Sequence, residues 1–321
     1  MKSILMIFFL LVSILGHAQD PIFTQYFMIP ETLNSSFTGA KKSTRAGIIH
    51  RTQWPGLNFS INTQYAFVDN WFEEIDSGLG ISILNHKETT TRYNFSQVNV
   101  NYAYELQLTS EWYFRPSLSF GLGLKDFGFQ NLLLEDQINL NQGIINPASM
   151  DQVNLNDSRL FYDIGTSFLF YNEDSWIGLS ISHLNQPNIS MTFEGEESLD
   201  IFASLHTSYK IPTGYRSKVE VYGLLNAMVQ GSYNRLDIGS KIKYKSFYFG
   251  VLGATNPIKS GSQNHTLTSI NGFFGFDWKG FRIGYSYDFN TTNIGRTGGV
   301  YELSVFYNFG RGRNCFSCPD Y

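Results

Sequence analysis

Segment after segment of this chain alternates apolar and polar residues with a period of two, and the segments run to about ten residues. In 281–289, Phe281, Ile283, Tyr285, Tyr287 and Phe289 share one face, while Arg282, Gly284, Ser286 and Asp288 share the other. The stretch 98–108 sets Val98, Val100, Tyr102, Tyr104, Leu106 and Leu108 against Asn99, Asn101, Ala103, Glu105 and Gln107. Residues 117–124 and 236–244 repeat the pattern. A pleated strand sends successive side chains to opposite faces, so each segment reads as a strand with one apolar and one polar face. Nothing comparable occurs at helical spacing.

A soluble sandwich also alternates, so length has to help decide. Strands of soluble sheets average about 5–6 residues, whereas a tilted strand needs roughly 9–11 to cross a bilayer. Aromatic residues make up 16% of the chain and charged residues only 16%, and the rings gather toward segment ends, as at Trp112-Tyr113-Phe114, Trp176, Phe247-Tyr248-Phe249, Trp278 and Phe309. Interfacial belts want an apolar ring body with a polar edge. A mean hydropathy of −0.17 argues against a helical membrane protein but leaves a barrel open, since half of a barrel's strand positions face a polar lumen. The formal net charge of −4 gives no electrostatic case for nucleic acid.

The first segment is for targeting. Lys2 precedes an apolar run from Ile4 to Leu15, and Gly16-His17-Ala18 follows with small residues at the positions a signal peptidase reads. We therefore expect a signal peptide over 1–18. No cysteine lies near the cleavage point, which excludes a lipoprotein. The expected architecture of the rest is all-β: a transmembrane up-and-down antiparallel β-barrel of about 14 strands over 46–309, preceded by a plug or periplasmic segment over 19–45. A periplasmic tail, 310–321, follows. The strands are expected at 46–54, 57–67, 77–86, 93–107, 112–124, 159–170, 175–183, 199–211, 217–228, 233–244, 247–254, 267–276, 281–289 and 299–309. Connections at one end are mostly tight turns and those at the other mostly longer, the asymmetry of outer-membrane barrels. The fit is imperfect at 55–56 and 229–232, short on the outer side, and at 68–76, long on the inner side. The longest insertion, 125–158, reads as a loop with a short helix or hairpin, folding into the lumen or standing outside as a partner surface.

Residues 19–40 are polar and aromatic, carry Pro21, Pro30 and Gly39, and show no sustained period. Such a segment cannot lie in lipid, where its backbone donors would lack partners. We expect it inside the barrel, anchored by Phe23, Tyr26 and Phe27. Alternation does not orient the first strand, but energy does: arginine on the lipid face costs about 2–4 kcal/mol at mid-membrane, so Arg51 should point inward. Arg282 and Asp288 share the inward face of their strand and Glu302 sits on the next; these charges either fix register or hold a plug or cargo segment. Cys315 and Cys318 form a C-x-x-C pair in the tail. With no second Cys/His cluster nearby, a local disulfide or an unpaired tail feature is expected ahead of a redox or zinc site. No metal or cofactor is expected. Catalysis would need a nucleophile and a base in reach. Only His183, expected as an exposed residue at a strand's outer end, invites that reading, and the chain is not read as an enzyme. A passive channel for small hydrophobic solutes is the alternative.

Three motifs stand out in order: Gln19-Asp20-Pro21-x-Phe23-x-Gln25-Tyr26, then Arg51-x-Gln53-Trp54-x-Gly56, then Gly284-Tyr285-Ser286-Tyr287-Asp288. Together they resemble the PorP/SprF family of Bacteroidota outer-membrane proteins, linked to type IX secretion and gliding motility. The chain departs from the family's usual pattern at Ile29-Pro30 and Asn34-Ser35, where Asn-Pro is frequent, and at Gly298-Gly299-Val300-Tyr301-Glu302, where a histidine is usual. The resemblance implies a barrel integral to the bacterial outer membrane and in contact with its lipid. It also implies partners: secreted cargo or an adhesin with a C-terminal sorting domain, or periplasmic components of the type IX machinery.

Overall fold

The structure, a computed structural model, describes residues 20–57, 60–128, 138–139, 144–145, 158–192, 195–214, 217–257, 266–292, 297–310, 318–319 and 321. The expected signal peptide therefore lies outside the described residues. Fourteen long strands form the wall: β1 Arg45–Gln53, β2 Ile61–Phe72, β3 Ser77–Glu88, β4 Asn94–Tyr104, β5 Tyr113–Asp126, β6 Ser158–Tyr171 and β7 Ser175–Ser182, followed by β8 Phe202–Ile211, β9 Val219–Gln230, β10 Tyr233–Tyr244, β11 Phe247–Asn256, β12 Thr266–Trp278, β13 Phe281–Asn290 and β14 Val300–Asn308. A two-residue piece, Leu106–Gln107, continues β4 along β5 after a break at Glu105. Every neighbouring pair is antiparallel in chain order, and β14 returns to pair with β1 from Arg45↔Asn308 to Gln53↔Val300, closing the sheet into a barrel. Closure leaves no sheet edge, which a structure in lipid requires.

The alternation sorts the two faces. Ile81, Ile83, Val98, Val100, Leu118, Phe120, Leu122, Leu160, Tyr162, Val251 and Phe289 are exposed on the outer face, while Ser82, Asn101, Arg115, Asp163, Ser204, Asn226, Asp237, Lys241 and Asn271 are buried inside. Apolar outside and polar inside is the reverse of a soluble protein and fits a wall bathed in lipid. Outward rings pack in a belt at one end, running from Phe247 and Phe274 through Trp278, Phe281 and Tyr307 to Phe309. Trp176 and Tyr248 do not belong to that belt. Each shares the inward parity of its strand, Trp176 with Gly178 and Ser180, and both are buried in the lumen.

The expected loop asymmetry sharpens at β2, whereas the outer connection between β9 and β10 stays an exception, at 231–232 only. β2 starts at Ile61, not 57, and extends to Phe72, so its outer connection lengthens and its inner one shrinks to a single 3-10 turn, Glu73–Ile75. The strand runs on through the polar Asp69-Asn70 to the aromatic pair Trp71-Phe72. The inner connections 73–76, 172–174, 245–246 and 279–280 are tight. On the other side, 183–201 is long and the connection after β5 carries a small antiparallel hairpin, Ile138–Asn139 with Ile144–Ile145.

Candidate functional site

Residues 20–44 run back through the lumen, and three segments distant in sequence meet around them. Arg51 and Glu302 are direct cross-strand partners in the closing pair, and Arg51 Nη1 donates to Glu302 Oε1 at 2.5 Å. Asp288 Oδ2, one strand further, lies 3.5 Å from the same nitrogen. Glu302 also accepts the backbone N–H of Thr24 at 2.8 Å and of Gln25 at 3.0 Å. One carboxylate, 1% exposed, thus holds a wall arginine and two peptide groups of the inserted segment. Thr24 Oγ1 donates to Asp288 Oδ2 at 2.6 Å, Gln25 Nε2 donates to the Glu302 carbonyl at 3.1 Å, and Ser304 Oγ donates to Gln25 Oε1 at 2.6 Å. A buried charge is tolerable only when paired and hydrogen-bonded, and here each answers several groups. Gly284 makes the fit possible: a Cβ there would stand 2.4 Å from Gln25 Oε1 and 2.6 Å from Ser304 Oγ.

Rings supply the apolar half of the contact. Phe27 is fully buried with its centroid 4.0 Å from that of Phe273 on β12, Phe23 packs against Tyr65 at 6.2 Å, and Tyr26 meets Phe27 edge-on at 5.7 Å. Nearer the tight-turn end, the segment makes two short 3-10 turns, Pro30–Thr32 and Ser35–Phe37, the second capped by the Asn34 side chain. Two wall arginines grip it there. Arg45 pairs with Glu31 and Asp69 and donates to the Phe37 carbonyl at 3.1 Å; Arg115 donates to the carbonyls of Ser36 at 3.0 Å and Thr38 at 2.5 Å. Gly39, at φ +71°, donates its N–H to Asp69 Oδ2 at 2.7 Å, and a Cβ on it would lie 2.6 Å from Gly78 Cα. Tyr321 returns to the same end, edge-on to Phe37 at 5.1 Å and bonded to Arg45 and Arg282.

At the loop end the segment starts at Asp20. Its N–H donates to Gln230 at 2.8 Å, and its carboxylate receives His183 Nε2 at 2.7 Å, while His183 Nδ1 lies 3.0 Å from Asp163. His183 is therefore not the exposed residue expected from sequence: it is 3% exposed, turned inward at φ +60°. Burial resists charging its ring, but the Asp20 and Asp163 carboxylates outweigh that and hold its pKa up to about 10. Beside Asp20 opens a cavity of about 480 Å³, lined among others by Arg51, Trp54, Arg235, Asn256 and Asp288.

This geometry brings residues of the three sequence motifs into one site. The sequence profile described as type IX secretion system membrane protein PorP/SprF matches residues 15–307. The chain belongs to the PorP/SprF family. It is thus an integral outer-membrane barrel of the type IX secretion kind. Curated proteins return no match. Among solved structures, the chain is similar to the P. putida toluene transporter TodX, with a TM-score of 0.49 and 9% identity over 83% of this chain and 90% of that one. It is also similar to the CymD monoaromatic hydrocarbon channel, at 0.49 and 11% over 90% and 93%. A third is the Acinetobacter baumannii outer membrane protein Omp33, at 0.44 and 7% over 84% and 99%.

Of the residues singled out in this PorP/SprF chain, Phe23, Gln25, Tyr26, Phe27, Arg51, Asp288 and Glu302 come together in the lumen. Gln53 lies on the edge of the group, 3.5 Å from Arg51, and Trp54 lines the outer cavity. Arg282 does not join them. Although it shares the inward face with Asp288, it sits at the tight-turn end and pairs with Asp277 at 2.7 Å. Cys318 is buried and no cysteine among the described residues is free; Cys315 lies outside them. Sequence reading missed Arg45, Asp69, Arg115, Asp163 and Ser304. The inward parity of Arg115 and Asp163 was readable, since both oppose clear lipid-facing neighbours, but nothing in it named their partners.

Proposed function

We propose that this barrel serves type IX secretion as a plugged platform that binds and anchors exported cargo at the cell surface, with periplasmic machinery engaging its tight-turn end, and that its lumen is not the export conduit. The observation that supports this reading is the lock on Glu302, which ties residues 24 and 25 to Arg51 through buried, fully partnered groups. Clearing the lumen for a passing chain would strand those charges, and breaking a buried pair costs roughly 3–5 kcal/mol. The polar interior also suits hydrophobic solutes poorly, which disfavours a passive hydrocarbon channel.

Ser36 Oγ and Ser117 Oγ lie 2.9 Å apart, so a Ser36→Cys/Ser117→Cys pair can bolt the segment to the wall. For a platform, the bolted protein should support secretion like the wild type, and a tagged barrel pulled from native membrane should bring a large surface protein with it by mass spectrometry. Loss of secretion on bolting, restored by reductant, would convict the lumen as the conduit. Uptake of small hydrophobic solutes into liposomes carrying the purified barrel would instead favour the channel.

A further inference from the structure

The outer cavity is a second feature, separate from the lock in its chemistry. Its volume, about 480 Å³, falls in the range of small-molecule sites and is far beyond the roughly 30 Å³ share of one water. Its wall holds polar atoms that no group among the described residues answers: Asp288 Oδ1 on a residue 4% exposed, Arg235 Nη2 and Asn256 Oδ1. Just beneath, Asp237 Oδ2 and both amide atoms of Asn271 are unanswered as well, on residues with no exposure. Asn271 stands opposite Asp288 in the sheet, and Arg235 reaches Asp237 Oδ1 at 2.8 Å, so these groups adjoin. Buried polar atoms are normally satisfied, and a cluster of exceptions around one cavity marks where a ligand would satisfy them.

The identity of the unanswered atoms narrows the ligand. A simple anion would satisfy Arg235 but meet Asp20 and Asp288. A cation would satisfy the carboxylates but meet Arg51 and Arg235. A hydrocarbon would satisfy none. Hydroxyl groups both donate and accept, so one polyhydroxylated ring can answer an arginine N–H and a carboxylate oxygen at once. Trp54 and Tyr233 line the same cavity and offer flat apolar faces for the C–H side of such a ring. We propose that the outer cavity is a binding site for a saccharide of one or two rings.

The test is titration of the purified full chain, held in a zwitterionic detergent because maltoside headgroups are themselves sugars. Glucose, galactose, N-acetylglucosamine, maltose and lactose are the free probes, and purified lipopolysaccharide is the polymeric one, followed by tryptophan fluorescence and calorimetry. At least one probe should bind saturably, with the fluorescence change lost in Trp54→Phe while the heat signal stays. Ser269→Phe fills the cavity without removing a charge and should weaken binding at least tenfold. A response to lipopolysaccharide alone assigns the site to a surface glycan, and one to free sugars alone assigns it to a solute; both support it. Absence of saturable binding for every probe, or unchanged binding in Ser269→Phe, overturns it. So does selective capture of a lysine-rich peptide with no sugar response.

Discussion

The two sides of the lumen are built to different standards. On the side of β13, β14 and β1, the groups that meet the inserted segment are answered apart from Asp288 Oδ1, which faces the outer cavity: Glu302 by Arg51 and two backbone N–H groups, Gln25 by Ser304 and a carbonyl, Thr24 by Asp288 Oδ2. Across β10 to β12, Asp237, Asn256 and Asn271 keep polar atoms without partners among the described residues. The difference teaches that a polar lumen face carries two distinct jobs, one gripping the chain's own segment and one left to contact something else.

The largest effect should come from breaking the gripping side. Glu302→Ala leaves Arg51 buried and two peptide groups unanswered, so we expect a loss of roughly 3–5 kcal/mol in the urea midpoint analysis of the detergent-solubilised barrel. Removing both partners as Arg51→Leu/Glu302→Leu should cost less than either single change. A single-variant loss below about 1 kcal/mol would mean the two sides do not differ. Gly284→Val tests the same side sterically. Its side chain would displace Gln25, an overpacking cost of about 1–3 kcal/mol, and residues 20–40 should become cleavable by added protease while the wall stays intact. An uncut segment in that variant would place the anchoring elsewhere.

How much of this was legible follows from which forces act locally. Strand parity is local, so Ile81, Leu118 and Asp163 could be placed on their faces, and the strand count followed. The direction of Arg51 was readable from the lipid penalty alone. The partners were not, because Arg51, Glu302 and Thr24 are joined only by the closing pair, 251 residues apart along the chain for the arginine and the glutamate. His183 failed for a related reason. It follows the end of β7, where exposure is ordinary, and Asp163 on the neighbouring strand together with Asp20, returning through the lumen, makes that position a buried ion pair. Gly39 stood out only as a breaker and Gly284 only as part of a motif, since close approach by a distant segment leaves no local mark.

The His183 tie should give a smaller effect, since it holds only the first described residue of the segment. Its pKa is raised, so its contribution is whole below the ordinary value of about 6.5 and is lost as pH rises through about 10. Hydrogen exchange over 20–23 should therefore quicken between pH 8 and 11, beyond the intrinsic chemical rate, and His183→Phe should flatten that excess. An excess that persists in the variant would assign the pH response to another group.

The smallest effect is expected on the unanswered side. Asn271 is wholly buried with neither amide atom partnered, so its polarity contributes nothing to holding the fold and its desolvation works against it. Replacing both partners of a hydrogen bond by apolar groups is near neutral, and a residue that has no protein partner should behave the same way when replaced alone by one of similar volume. Asn271→Leu should thus shift the urea midpoint by less than about 1 kcal/mol, in either direction, against the several lost in Glu302→Ala. The matched change Gln25→Leu, on the gripping side, removes an amide that does have partners and should cost measurably more. Equal costs for the two would erase the distinction between the sides, because they would show that Asn271 is held as firmly as Gln25.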